Sequence, residues 1–334
     1  MAGGADQGSG ADQAGMGELR FSDRVALVTG GGRGMGRAHA VDLAGRGASV
    51  VVADAGVDLF GGGSDPGPAN EVAEAIRAAE GDAVAYVADL STEDGARGAV
   101  RAATAAFGRL DIVVHNAGFT LGGRAFGDES LDRLEQLLAV NTRAAYAMAL
   151  EAWPHLQAQR YGRIVLSSST AVYGMATSVP YATAKSSYVG LVRSLAAAGR
   201  TDGITVNAIA PSAATRMSEN LAPSPFRDWF LRTMRPDQVT PVVVALAHED
   251  CPVTGELFVV GGGRVARTVL AETAGYVNPD LQAEDVRDQL GRLMADGDLS
   301  FPADTAASLR LTAAALGDDL DALDTPEGLA ARSR

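Results

Sequence analysis

Arg24-Val-Ala-Leu-Val-Thr29 runs straight into Gly30-Gly-Gly-Arg33-Gly34-Met35-Gly36, and an alanine-rich segment continues to Leu43. The first six residues read as a short buried strand, the glycines as a turn, and the rest as a helix that starts at that turn. Glycines let the backbone approach a pyrophosphate closely, and a helix N-terminus offers free N–H groups and a partial positive charge. The spacing, Thr-Gly-x-x-x-Gly-x-Gly, is one residue longer between its first glycines than the commonest dinucleotide fingerprint. A glycine triplet alone carries little weight; the flanking strand and helix raise it to a nucleotide loop.

A second apolar run, residues 48–54, ends in Asp54, about 20 residues beyond the loop, where a ribose-binding acid belongs. A carboxylate there accepts bonds from ribose hydroxyls and repels a 2′-phosphate, which favours NAD over NADP. Arg33 argues the other way. Asp54 outweighs it, because a buried like-charge clash costs more than an arginine that can swing to solvent. Residues 56–70 form a glycine- and proline-rich insertion, followed by a helix over 71–80. Residues 83–88 form a third strand and lead to Asp89-Leu90, whose carboxylate either bonds an adenine amine or caps the next helix. The fourth strand, 110–115, ends in Asn116-Ala117-Gly118, a turn that lets backbone lie against a flat ligand.

A helix over 130–153 carries Asn141 in its interior, an unfavourable place for an amide unless its side chain has a local task, such as holding a water. Strands at 162–166, 204–209 and 257–260 bring the total to seven, and the fifth opens into Ser167-Ser168-Ser169. Strands alternating with helices predict a Rossmann-type α/β fold. It is a doubly wound, seven-stranded parallel sheet with helices on both faces and ligands across its carboxyl edge.

Tyr181-Ala-Thr-Ala-Lys185 holds the single lysine of a chain whose other 27 basic residues are arginine. Positions i and i+4 share a helix face. An ammonium beside a phenol favours the phenolate and lowers the tyrosine pKa, which makes the pair a proton donor and acceptor. A compact ammonium can point three donors at a phenol and a ribose hydroxyl, where the planar fork of arginine is bulkier.

Composition narrows the alternatives. The 334 residues are 47% hydrophobic, with no uninterrupted apolar run near the ~20 residues a membrane span requires. The formal charge of −13, with scattered arginines, argues against a nucleic-acid surface. One cysteine, Cys251, excludes an intrachain disulfide framework, and the four histidines show no metal-ligand spacing. A reducing, cytoplasmic setting is expected, with no metal, no nucleic acid and no membrane partner. Residues 1–19 read as a disordered lead rather than a signal peptide, and the terminal Ala-Arg-Ser-Arg is not a peroxisomal address.

These motifs, in this order and spacing, resemble the short-chain dehydrogenase/reductase family from Phe21 to Arg264. Within it, the insertion after Asp54, Glu151-Ala-Trp-Pro-His, Tyr161-Gly-Arg-Ile and Pro211-Ser-Ala-Ala-Thr-Arg-Met resemble the (3R)-hydroxyacyl-CoA dehydrogenase unit of peroxisomal multifunctional enzyme type 2. The resemblance implies that Tyr181 exchanges a proton with the substrate oxygen, that Ser168, thirteen residues earlier, hydrogen-bonds that oxygen, that Lys185 holds the nicotinamide ribose, and that Asn141 positions a relay water. It lays the cofactor along Gly30, Arg33, Gly34, Met35, Gly36, Asp54, Asp89, Leu90, Asn116, Ala117, Gly118, Tyr181, Lys185, Pro211, Ser212 and Ala214. Three departures stand out: His115 for the usual asparagine, Pro180 directly before the tyrosine, and Pro211-Ser for the commoner Pro-Gly.

The expected organisation is therefore a lead (1–19), an NAD-binding domain (20–265) and a helical extension (266–334). The resemblance puts that extension at the interface of a homodimer or homotetramer. Residues 216–235 occupy the place of a substrate lid, in which Phe226, Trp229 and Phe230 either line an acyl tunnel or pack the lid down. Arg216, Arg232 and Arg235 are candidates to meet coenzyme A phosphates. The leading function is an NAD-dependent dehydrogenase acting on a secondary alcohol, a (3R)-hydroxyacyl-CoA by resemblance. Its rivals are a hydroxysteroid or polyketide-type alcohol dehydrogenase and, from another class, a catalytically idle NAD-binding regulator.

Overall fold

Alternate residues of strand β1 (Val25–Thr29) face two different helical layers. Val25 and Leu27 join a core with α3 (Glu93–Phe107), α5 (Ala144–Gln159) and α6 (Val179–Gly199), through Val100, Met148, Leu156, Tyr188 and Val192. Ala26 and Val28 join the other core, with α1 (Gly34–Gly45), α2 (Gly67–Ala78) and α8 (Thr240–Ala247), through Leu43, Val72, Ile76 and Val243. This period of two, apolar on both faces, marks a central strand of a doubly covered parallel sheet. Truncating Leu27, which is fully buried, to alanine would cost about 2–5 kcal/mol. The computed structural model describes residues 17–58, 60–215, 222–295 and 297–318.

The remaining strands are β2 (Ser49–Ala53), β3 (Ala83–Tyr86), β4 (Ile112–His115), β5 (Gly162–Ser167), β6 (Ile204–Pro211), β7 (Leu257–Gly261) and β8 (Arg264–Thr268). Their order is β3-β2-β1-β4-β5-β6-β7-β8, with β1 to β7 parallel. Chain direction across the sheet reverses between β1 and β4, which opens a crevice at their carboxyl ends. The seven expected strands are present, and β8 is an eighth, antiparallel to β7. Gly262 and Gly263, at φ 58° and 78°, form the two-residue left-handed turn that folds β8 back.

Two further expectations shift. Helix α2 begins at Gly67 rather than at residue 71, because Pro68 is accommodated in its first turn. The long helix expected over 130–153 comprises α4 (Leu131–Leu138), a π-turn (Ala139–Arg143) and α5, which continues to Gln159. Beyond β8, β9 (Glu272–Thr273) pairs with β10 (Leu299–Ser300) around α9 (Ala283–Leu293), and α10 (Thr305–Leu316) follows. The described part of the extension is thus helical, with a small two-stranded ribbon added. The extension is tied to α6 where Arg193 donates to the carbonyls of Pro302 and Ala303. Most of the expected lead lies outside the described residues. Among the described residues no helix is long and apolar enough to cross a membrane.

Candidate active site

A cavity of about 790 Å³ opens at the switch point between β1 and β4. Of the expected cofactor residues, Gly30, Arg33, Gly34, Met35, Asp54, Asp89, Leu90, Asn116, Ala117 and Gly118 line it. Gly30 and Gly34 adopt φ of 61° and 53°, a conformation glycine takes without strain. A Cβ on Gly34 would meet only Thr215, at 3.8 Å, so the loop presents bare backbone to the cavity. That cradle, at the N-terminus of α1, fits a pyrophosphate. Gly36 does a different job. A Cβ there would lie 2.0 Å from the Gly30 carbonyl oxygen, so its small size lets α1 pack against the loop.

Asp54 accepts the Gly32 N–H at 2.8 Å on one carboxylate oxygen and the Gly56 N–H at 2.7 Å on the other. Each oxygen keeps a second lone pair for a hydroxyl donor. Arg33 is turned to Asp65, 3.4 Å away. Both Asp89 oxygens are engaged by Ser91, through its N–H and its hydroxyl at 2.8 Å each, so this carboxylate holds the turn before α3. The loop after β6 differs from expectation. Ser212 N–H bonds the Val260 carbonyl and Ala214 N–H bonds the Met234 carbonyl. With Pro211 paired to Val260 in the sheet, these residues fix the loop, and Thr215 is the one that lines the cavity. Sequence reasoning also missed Val57, Asp58, Phe60, Gly61 and Phe119 in the wall. Their signal was the insertion itself, which starts directly after Asp54 and reaches across until Gly61 touches the Phe119 ring.

Tyr181 and Lys185 lie in the first turns of α6, with Pro180 tolerated at its start. Lys185 is buried and donates to the Ser167 carbonyl at 2.7 Å. Burial lowers its pKa to about 7. The π-turn swings Asn141 inward. Its Nδ2 donates to the Leu137 carbonyl at 2.8 Å, and its Oδ1 is buried without a partner. A Cβ on Gly118 would sit 2.7 Å from that Oδ1 and 3.2 Å from Lys185 Nζ, so a niche between an open acceptor and a donor backs onto the cavity wall. Such π-turns are frequent at functional sites.

The neighbouring serines Ser168 and Ser169 have different surroundings. Ser168 is buried and donates its hydroxyl to the Lys185 carbonyl at 2.8 Å. The Ser169 hydroxyl favours the ionised form of Tyr181, and it accepts the Ala171 N–H at 3.1 Å. Counting thirteen residues back from the tyrosine selects Ser168, directly after β5, whereas Ser169, one residue further on, is only partly buried. A correction concerns the phenol. Burial pushes the Tyr181 pKa up, with the Ser169 hydrogen bond as an opposing effect. Lys185 spends a donor on Ser167 and does not lower it here. His115, the departure at the end of β4, is fully buried, bonded through Nδ1 to Thr29 Oγ1 at 2.8 Å, and held neutral because burial takes its pKa to about 3.

In the segment expected to form a lid, Phe226, Trp229 and Phe230 lie on α7 (Pro225–Thr233) with ring centroids 5.9–6.5 Å apart. They pack on one another, and Phe226 and Trp229 stay exposed. Arg235 pairs with Asp237 at 2.9 Å, Arg232 is exposed, and Arg216 lies outside the described residues. Among the described residues no cluster of His, Cys, Asp or Glu could hold a metal ion.

A nucleotide loop at a sheet switch point, backed by a hydroxyl, a phenol and a buried amine, defines an oxidoreductase of the dinucleotide-binding α/β class. The chain belongs to the short-chain dehydrogenase family, whose pattern matches residues 24–224. It is 37% identical over 292 residues to peroxisomal multifunctional enzyme A of Dictyostelium discoideum, covering 87% of this chain and 64% of that one. A short-chain type dehydrogenase/reductase of Mycobacterium tuberculosis is 41% identical over 249 residues, covering 74% of this chain and 85% of the relative. Among solved structures, full-length peroxisomal multifunctional enzyme type 2 of Drosophila melanogaster superposes with a TM-score of 0.73 at 28% identity, over 90% of this chain and 50% of that one. The chain thus spans well under the full length of the multifunctional enzymes it matches. As a family member it is an enzyme that takes NAD or NADP and a small-molecule substrate.

Proposed function

We propose that this enzyme transfers a hydride between NAD and a secondary alcohol or ketone, specifically a (3R)-hydroxyacyl-CoA and its 3-ketoacyl-CoA. The observation that carries the reaction class is Tyr181 with the buried Lys185 four residues along the same helix face. Bound NAD would supply the hydride acceptor. In oxidation Tyr181, a neutral phenol here, takes the hydroxyl proton as it releases its own towards Lys185, whose pKa of about 7 leaves it able to accept one, and Ser169 steadies the same oxygen as its charge changes. Lys185 receives that proton, and the open Oδ1 of Asn141 holds a relay water for it in the niche at Gly118. NAD, rather than NADP, is supported by Asp54 at the ribose end and by Arg33 being engaged elsewhere. The acyl-CoA substrate is supported by likeness to the multifunctional enzymes, and a reducing, cytoplasmic setting by the unpaired Cys251. The exposed apolar residues of the extension support a homodimer or homotetramer.

The test is kcat/KM with NAD for 3-hydroxyacyl-CoAs, their short pantetheine thioesters, hydroxysteroids and aromatic polyketide alcohols. The reading expects the full acyl-CoAs to lead and Tyr181→Phe to lose about 10²–10⁴-fold in rate while still binding NAD. A steroid or polyketide preferred by ~10-fold, worth ~1.4 kcal/mol of transition-state binding, would transfer the assignment to that substrate. Unaltered turnover in Tyr181→Phe would remove the tyrosine from the chemistry.

A further inference from the structure

We propose that Asp65, at the far end of the insertion after β2, is a specificity-determining residue that holds Arg33 away from the adenosine ribose and so closes the site to a 2′-phosphate. This rests on the NAD preference proposed above and assigns part of it to a residue outside the ribose site itself.

Arg33 is the basic side chain of the glycine loop and lines the cavity, where an arginine is the usual partner of a 2′-phosphate. Its Nη2 instead lies 3.4 Å from Asp65 Oδ2. Asp65 is fixed in place from three sides. Its Oδ1 accepts the Gly67 N–H at 2.9 Å at the start of α2, and its own N–H donates to the Ala55 carbonyl at 3.0 Å. Its carbonyl oxygen lies so near Gly56 that a Cβ there would be 1.9 Å away. Gly56, in turn, is tied to Asp54 by the 2.7 Å bond. The two ends of the insertion are therefore pinned together, one against the ribose acid and the other against the loop arginine.

An exposed ion pair contributes little to stability. What it decides here is where a mobile guanidinium rests. Asp54 and Asp58 line the same cavity as Arg33, whose guanidinium is paired with Asp65. A dianionic phosphate at the ribose end meets the Asp54 carboxylate while Arg33 is held by Asp65. Removing Asp54 alone leaves Arg33 held, so the two acids must act together.

The experiment measures dissociation constants for NAD and NADP by calorimetry, without turnover, in the wild type, Asp54→Ser, Asp65→Asn and the double variant, each also with Arg33→Ala. Asp65→Asn keeps an acceptor for Gly67, and Asp65→Ser is the second choice if melting shows that the first does not fold. We expect NAD affinity within about twofold of wild type in Asp65→Asn. NADP should bind roughly tenfold tighter in the double variant than in Asp54→Ser alone, a gain that Arg33→Ala abolishes. Equal NADP affinity with and without Asp65 in both backgrounds overturns the proposal, as does a gain that survives Arg33→Ala. A wild type that prefers NADP overturns the NAD reading itself, a result seen before any variant is made.

Discussion

The Lys185 ammonium donates to the Ser167 carbonyl at 2.7 Å, deep in a site where burial brings its pKa down to about 7. The unfolded chain keeps the ordinary lysine value near 10.5. Between those values the unfolded chain holds a proton that the fold does not. Stability must therefore rise with pH across that window, and the cost of charging Lys185 is fully present below about pH 7. Melting of the NAD-free protein from pH 6 to 9.5, compared with Lys185→Met, reads this directly. The variant should be the more stable at pH 6, and its advantage should shrink as pH rises. Parallel curves would show that Lys185 titrates normally.

Ser169 and Ser168 separate function from packing. Ser169→Ala removes the hydroxyl beside Tyr181 and should lower kcat by about 10²-fold, the scale of losing one donor to a developing oxyanion. Ser168→Ala removes a buried bond to the Lys185 carbonyl and should cost about 1 kcal/mol of stability with kcat nearly unchanged. Steady-state kinetics and urea unfolding on both variants check the pair. The reverse pattern would restore Ser168 to the chemistry.

The parallel sheet and the glycine loop were legible because their signals are local. Val25 to Thr29 is apolar on both faces, and Gly30 and Gly34 take conformations that glycine alone enters freely. Tyr181 and Lys185 were legible for the same reason, since one helix sets their spacing. The different burial of Ser168 and Ser169 was not, because it depends on where β5 ends relative to the following turn, and a count from the tyrosine is blind to that. Nor were Arg33 and Asp65, 32 residues apart, whose meeting depends on how the insertion folds back. β8 carried a weak signal, because Arg264-Val265-Ala266-Arg267 does not alternate and only the Gly262-Gly263 turn points to a hairpin.

Val286, Leu290 and Met294 recur every four residues along α9 and its C-terminal end, all exposed, with Met294 at 79%. If this stripe seats on a second copy, Leu290→Glu should place a charge in an apolar contact and shift sedimentation towards monomer, while circular dichroism stays unchanged. Identical sedimentation of wild type and variant would move the interface elsewhere.

Gly118→Ala tests the niche behind the cavity wall. The added methyl would lie 2.7 Å from Asn141 Oδ1, closer than real contacts allow, and 3.2 Å from Lys185 Nζ. Neither neighbour can easily yield, because Asn141 is tethered to the Leu137 carbonyl and Lys185 to that of Ser167. Overpacking of this kind costs about 1–3 kcal/mol, and the variant should melt lower. It should also lose kcat by at least about tenfold, because the methyl occupies the space between the open acceptor and the amine that the proton must cross. A structural effect alone would be relieved by making room. In Gly118→Ala/Asn141→Ala the clash is gone, so thermal stability should return most of the way while kcat stays low, since both the acceptor and the open space are missing. Recovery of kcat along with stability in that double variant would mean that the niche carries no proton and that Asn141 serves only the packing of the π-turn.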